Sequence, residues 1–264
     1  MFEFLLSGLR SGIRERSLQA VFALGVLTVA AAYLSGSFSP RQPQTVALDI
    51  GFSGLRISLI LLNLLWVQEL VTREIDRRMV FFSLTYPISR GDFLVGRLGA
   101  TLVLSGVAAV VLGLMLTLAV AMTGGGYEQE FPPSLGLPYW LTIFGLLVDA
   151  AVVAVFALCV ATVSTVYILP LALGAAFSVA GKALGPTLDY FAAGSDIDVE
   201  RMGPAVNALR WVLPDLSRLD WRDWPMYLNA PADGAILWAV AMAVSYLAML
   251  MLLAVILFRR REFS

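Results

Sequence analysis

The sequence has no histidine, one cysteine (Cys159) and one lysine (Lys182). The missing histidine excludes H-E-x-x-H metalloprotease sites, Ser-His dyads and histidine haem ligation. A lone cysteine excludes an intrachain disulfide. Lys182 stands in Gly181-Lys182-Ala183, so the chain has no G-x-x-x-x-G-K-[ST] phosphate loop, and any ATP hydrolysis must come from another chain. Charge is scarce too: 14% of residues are charged and 59% hydrophobic, with a mean hydropathy of +0.83. Soluble domains have about 45–50% apolar and about 25% charged residues, so this composition is that of an integral membrane protein. The net charge of −1 gives no basis for a nucleic-acid partner.

What is present is long apolar runs. Crossing a bilayer takes roughly 20 such residues, and six runs qualify: about 18–34, 50–68, 98–122, 139–162, 168–185 and 235–258. Ahead of them, Phe2, Leu5, Leu6, Leu9 and Ile13 form one helical stripe, with Arg10, Arg14 and Arg16 available for a polar side. Residues 1–17 therefore predict an amphipathic helix in the cytoplasmic interface. Arginine clusters at 73–97 and at 259–261, and the positive-inside rule places both on the cytoplasmic side. The expected fold is all-α: an interfacial helix plus six transmembrane helices, with both termini cytoplasmic. Pro170 is expected to kink the fifth span, and 164–167 to form a tight cytoplasmic connection.

The sequence from Glu69 to Arg97 is the most distinctive. Glu69/Arg73 and Glu74/Arg78 are i,i+4 pairs in the favourable order, which extends the second helix beyond the membrane surface. Met79–Leu84 (MVFFSL) then places large apolar side chains in what would otherwise be a solvated loop, and Tyr86-Pro87 breaks the helix. A short helix with exposed aromatics between two spans suggests a docking surface for a soluble partner.

Glu-x-x-x-Arg-Glu, the apolar patch, Thr85-Tyr-Pro-Ile-Ser-Arg90 and Phe93-Leu-Val-Gly-Arg97 together resemble the first cytoplasmic loop of ABC-2-type ABC transporter permeases. The resemblance extends over nearly the whole chain as a single transmembrane domain, 1–264. It includes an elbow helix (1–17), a coupling loop (69–97), a re-entrant or interfacial region before the last span and an arginine-rich end. It implies that Arg77, Arg78, Met79, Phe81, Phe82, Leu84, Pro87 and Arg90 form the coupling interface with a nucleotide-binding subunit. It further implies a second copy of the chain, ATP and magnesium on the partner subunit, and residence in the cell inner membrane. The family handles lipids, polysaccharides, peptides, drugs and factors for metalloenzyme maturation, and no residue here selects among them.

Within the spans, Arg56 is costly in hydrocarbon and should face the bundle interior or water. Asp49, Arg56 and Asn63 recur every seven residues and so share a helix face. Asp149 lies about as deep in the fourth span as Arg56 in the second, so the two are placed to form an ion pair. A structural pair is the simpler reading, and a substrate contact the sharper one. Lys182 is expected to snorkel to the outer interface. Gly106, Gly113, Gly174 and Gly181 suit close helix packing. The segment 186–234 is external, acidic and rich in tryptophan, and predicts short helices on the outer leaflet. No catalytic, metal or cofactor residues emerge. The expected function is the permease subunit of an ATP-driven exporter, contacting membrane lipid. The alternative is a membrane anchor that transmits ATP-driven motion to an external partner protein.

Overall fold

The computed structural model describes residues 16–73, 90–123, 132–193 and 213–260, together with Leu6, Gly8 and Leu9. Six of its helices are long and apolar enough to cross a membrane, and no strand occurs among the described residues. The chain thus has the character of an all-helical, multi-pass membrane protein. The helices are α1 (Arg16–Phe38), α2 (Pro43–Val67), α3 (Arg90–Thr123), α4 (Leu137–Val163), α5 (Leu169–Ala193) and α6 (Ala235–Arg260).

Their ends follow local chemistry. Pro43 and Pro138 stand in the first turns of α2 and α4, where a missing N–H costs no hydrogen bond. The expected loop over 35–49 shrinks to 39–42, because α1 runs on to Phe38 and α2 begins at Pro43. Pro170 likewise falls in the first turn of α5 and causes no interior break there; the interior proline is Pro186, and the helix continues past it to Ala193. Beyond Val67, α2 widens into a π-helical turn, Gln68–Thr72. Arg73 Nη1 then bonds Glu69 Oε2 at 2.5 Å, the expected i,i+4 pair. The Gln68 side-chain amide donates to the Tyr167 carbonyl, tying this turn to the link between α4 and α5. Ser164 shapes that link, its Oγ accepting from the Val166 N–H at 3.0 Å.

Two helices form the centre. α2 packs against α1, α3, α4 and α5, while α4 packs against α2, α3, α5 and α6. Small residues set the closest approaches. Gly51 receives Leu116 of α3, Gly54 receives Thr28 of α1, and Gly174 receives Leu64 of α2. Phe156 of α4 and Phe177 of α5 stack with centroids 4.1 Å apart, and Phe93 of α3 stacks on Phe258 of α6 at 6.2 Å. The remaining apolar surface faces outward: Val103, Val107, Leu114 and Leu118 on α3, and Leu237, Trp238 and Leu252 on α6, are all exposed. In water such a surface would be a liability; in a bilayer it is solvated by lipid.

The segment before α6 departs most from the outer-leaflet helices that its composition predicts. A 3-10 turn (Leu216–Leu219) and a short helix (Asp223–Tyr227) fold back into the bundle instead of lying flat on it. Leu216, Leu219, Trp221 and Met226 are buried. Gly145 of α4 makes room: a Cβ there would collide with the Leu219 carbonyl and come within 3.1 Å of the Trp221 ring. Gly181 and Gly185 of α5 do the same for Leu216 and Ser217. Gly181 therefore serves this segment and not a contact between spans, and a Cβ at Gly106 would meet no neighbouring group within 4 Å.

Candidate functional site

The expected pairing of Arg56 with Asp149 is present. Arg56 Nε donates to Asp149 Oδ2 at 2.7 Å, and Arg56 Nη2 reaches the Ser178 carbonyl of α5 at 3.4 Å. One guanidinium thus joins α2, α4 and α5. The Asp149 side chain is 3% exposed and that of Arg56 15% exposed, so the pair is largely withdrawn from the surroundings. Asp149 Oδ1 accepts no hydrogen bond from the described residues. Removing either partner would leave a buried charge without its counter-ion, which costs about 3–5 kcal/mol.

A second ionic group lies toward the end of the bundle bearing the re-entrant segment. Lys182 of α5 pairs with Asp220, correcting the expectation that its ammonium simply reaches out to the interface. Asp220 also accepts from Arg222 Nε, at 2.9 Å to Oδ1 and 3.0 Å to Oδ2. Arg222 Nη1 continues to Asp49 Oδ1 and Ser53 Oγ, each 3.1 Å away on α2. Burial alone would raise the Asp220 carboxyl, but Arg222 and Lys182 outweigh it and hold the group below the usual carboxylate range. Burial would similarly lower Arg222, and its bonds to Asp220 and Asp49 instead hold it above the ordinary guanidinium value.

The two groups share helices α2 and α5. Arg56 ties α2 to α4 and α5, while the Lys182–Asp220–Arg222–Asp49 chain ties α5 through the re-entrant segment back to α2. Asp49 and Arg56 do share a face of α2, one helical heptad apart. Asn63, a further heptad along, reaches a different helix: its Nδ2 donates to Ser105 Oγ of α3 at 2.7 Å and to the Leu59 carbonyl at 2.8 Å.

Sequence reasoning missed Asp220 and Arg222 as partners of the helices. The available signal was Leu219-Asp-Trp-Arg-Asp-Trp224, with charges alternating among large apolar residues, beside a Gly181-x-x-x-Gly185 step with room for a neighbour. Of the expected coupling residues, Arg77, Arg78, Met79, Phe81, Phe82, Leu84 and Pro87 lie outside the described residues. Arg90 is the first residue of α3. Nearby, the Arg97 guanidinium lies 5.6 Å from the Phe93 ring centroid, and Gly8 of the N-terminal segment rests against Ala100 and Arg97. No cluster of three or more potential metal ligands occurs among the described residues. No family model matches the chain, and no curated protein matches it.

Proposed function

We propose that this chain is the permease subunit of an ATP-driven transporter of the ABC-2 type, an exporter residing in the cell inner membrane. One observation carries the reading: the segment with Phe81 and Phe82 joins Arg73, just past the π turn of α2, to Arg90 at the start of α3. With six spans alternating in direction, those helix ends fall at the same end of the bundle as Arg16 at the start of α1 and Arg259 and Arg260 at the end of α6. By the positive-inside rule this arginine-bearing end is cytoplasmic, and both termini lie on that side. An elbow helix over 1–17 is part of this reading, supported by the helical Leu6, Gly8 and Leu9 and by Gly8 resting against Ala100 and Arg97 of α3.

The mechanism follows from the central position of α2. A separate nucleotide-binding subunit, which carries ATP and magnesium, docks on the 74–89 segment. Its closure moves that segment, and α2 and α3 move with it because they flank it. α2 contacts four of the other long helices, so its displacement reaches the Arg56–Asp149 pair and the re-entrant segment. A second copy of the chain completes the pathway. The alternative, a membrane anchor passing motion to an external protein without moving a solute, draws on the link from α2 and α5 to Asp220 and Arg222 at the opposite face.

Phe81 and Phe82 would anchor the ATPase, with Arg77 and Arg78 at the rim. Truncated aromatic anchors commonly cost about 2 kcal/mol or more of binding. Phe81→Ala with Phe82→Ala should therefore release the ATPase from detergent-purified complex while leaving the permease folded. A complex that retains its ATPase and normal turnover would refute the proposal.

A further inference from the structure

A cleft of about 160 Å³ lies where α5, α6 and the re-entrant segment meet. The 3-10 turn packs against both helices, so it forms the floor of the gap between them. Leu188, Leu213, Met242 and Tyr246 make apolar walls, and Asp215 and Arg218 supply the polar groups. Met242 and Tyr246 lie roughly 10 and 16 Å along α6 from its first residue, at 1.5 Å per residue. The cleft therefore runs from the headgroup level into hydrocarbon. Beside it on the same helix, Leu237 and Trp238 are exposed to the bilayer.

The polar groups are only partly used. Arg218 Nε donates to Asp215 Oδ2 at 3.0 Å, and neither Nη of Arg218 bonds any described residue. Asp215 Oδ1 is taken up by the Ser217 N–H and hydroxyl, leaving Oδ2 with one further lone pair. The cleft thus presents a guanidinium fork and a carboxylate oxygen side by side, above an apolar slot. The surroundings are acidic on balance, with Asp215, Asp220, Asp223 and Asp233 against Arg218, Arg222 and Lys182. A ligand with net negative charge is disfavoured there, whereas one carrying both a phosphate and an ammonium matches both groups.

We infer that this cleft binds a zwitterionic aminophospholipid. Its phosphate sits on the Nη atoms of Arg218, its ammonium on Asp215 Oδ2, and one acyl chain lies along Met242 and Tyr246. The site is independent of whether the chain moves a solute. Native mass spectrometry of the full chain, released from nanodiscs of dioleoyl phosphatidylethanolamine, phosphatidylcholine or phosphatidylglycerol, tests it. The ethanolamine lipid should be retained in preference to the other two. Arg218→Gln should weaken retention by about tenfold, on the scale of one charge-assisted hydrogen bond. Met242→Trp should abolish retention by filling the slot, with the Asp215–Arg218 pair intact. Equal retention of all three lipids, unchanged retention in both variants, or displacement by inorganic phosphate alone would overturn the assignment.

Discussion

At the scale of single residues, the bundle depends on Arg56 and Asp149. A charged side chain among apolar helices is stable only when its partner and hydrogen bonds replace water. Arg56 meets this need with Asp149 at 2.7 Å and with the Ser178 carbonyl. Either neutralisation, Arg56→Gln or Asp149→Asn, should destabilise the purified protein by about 3–5 kcal/mol. The exchange Arg56→Asp with Asp149→Arg should recover part of that loss. Thermal unfolding of the two single exchanges and the double exchange gives the coupling; strictly additive shifts would mean the pairing contributes nothing. This pair was legible in the sequence because both residues are charged, isolated in apolar runs and at matching depth. The bonds of Lys182 were not. A lone lysine near a helix end ordinarily reaches water, and the charges set among apolar residues at 219–224 do not say which helix they return to meet.

Among the elements, the re-entrant segment differs most from the outer-leaflet helices that its composition predicts. Its composition is acidic and aromatic, which suits a membrane surface, yet Leu216, Leu219, Trp221 and Met226 are buried in the bundle. The glycines of α4 and α5 decide the matter, since only a missing Cβ lets the Leu219 backbone approach Gly145. Sequence periodicity shows where small residues lie along a helix but not which neighbour fills the space. Gly145→Ala should therefore unseat the segment at a cost of about 1–3 kcal/mol. A Leu219→Cys reporter, in a background with Cys159→Ala, should change from protected to reactive toward a thiol reagent when Gly145→Ala is added. Gly106→Ala, with nothing within 4 Å, should leave the reporter protected. Protection unchanged by Gly145→Ala would show that the segment does not depend on this notch. The six long helices themselves were legible throughout, because an apolar run of bilayer length has few other stable fates. Their ends were less so: Pro43 and Pro170 resemble breaks until they are seen to occupy first turns.

For the molecule as a whole, the proposed mechanism depends on sidedness. The segment between Arg73 and Arg90 must face the cytoplasm to meet an ATPase, and the segment before α6 must face the opposite side. Both placements derive from the arginine distribution and the alternation of six spans. Cysteine replacements in the Cys159→Ala background, labelled in intact cells with an impermeant thiol reagent, test them together. Ser7→Cys, Ser83→Cys and Ser264→Cys should react only after the membrane is permeabilised, while Ser39→Cys, Ser134→Cys and Ser195→Cys should react without it. Labelling of positions 83 and 195 from the same face would contradict the six-span arrangement and the coupling role built on it.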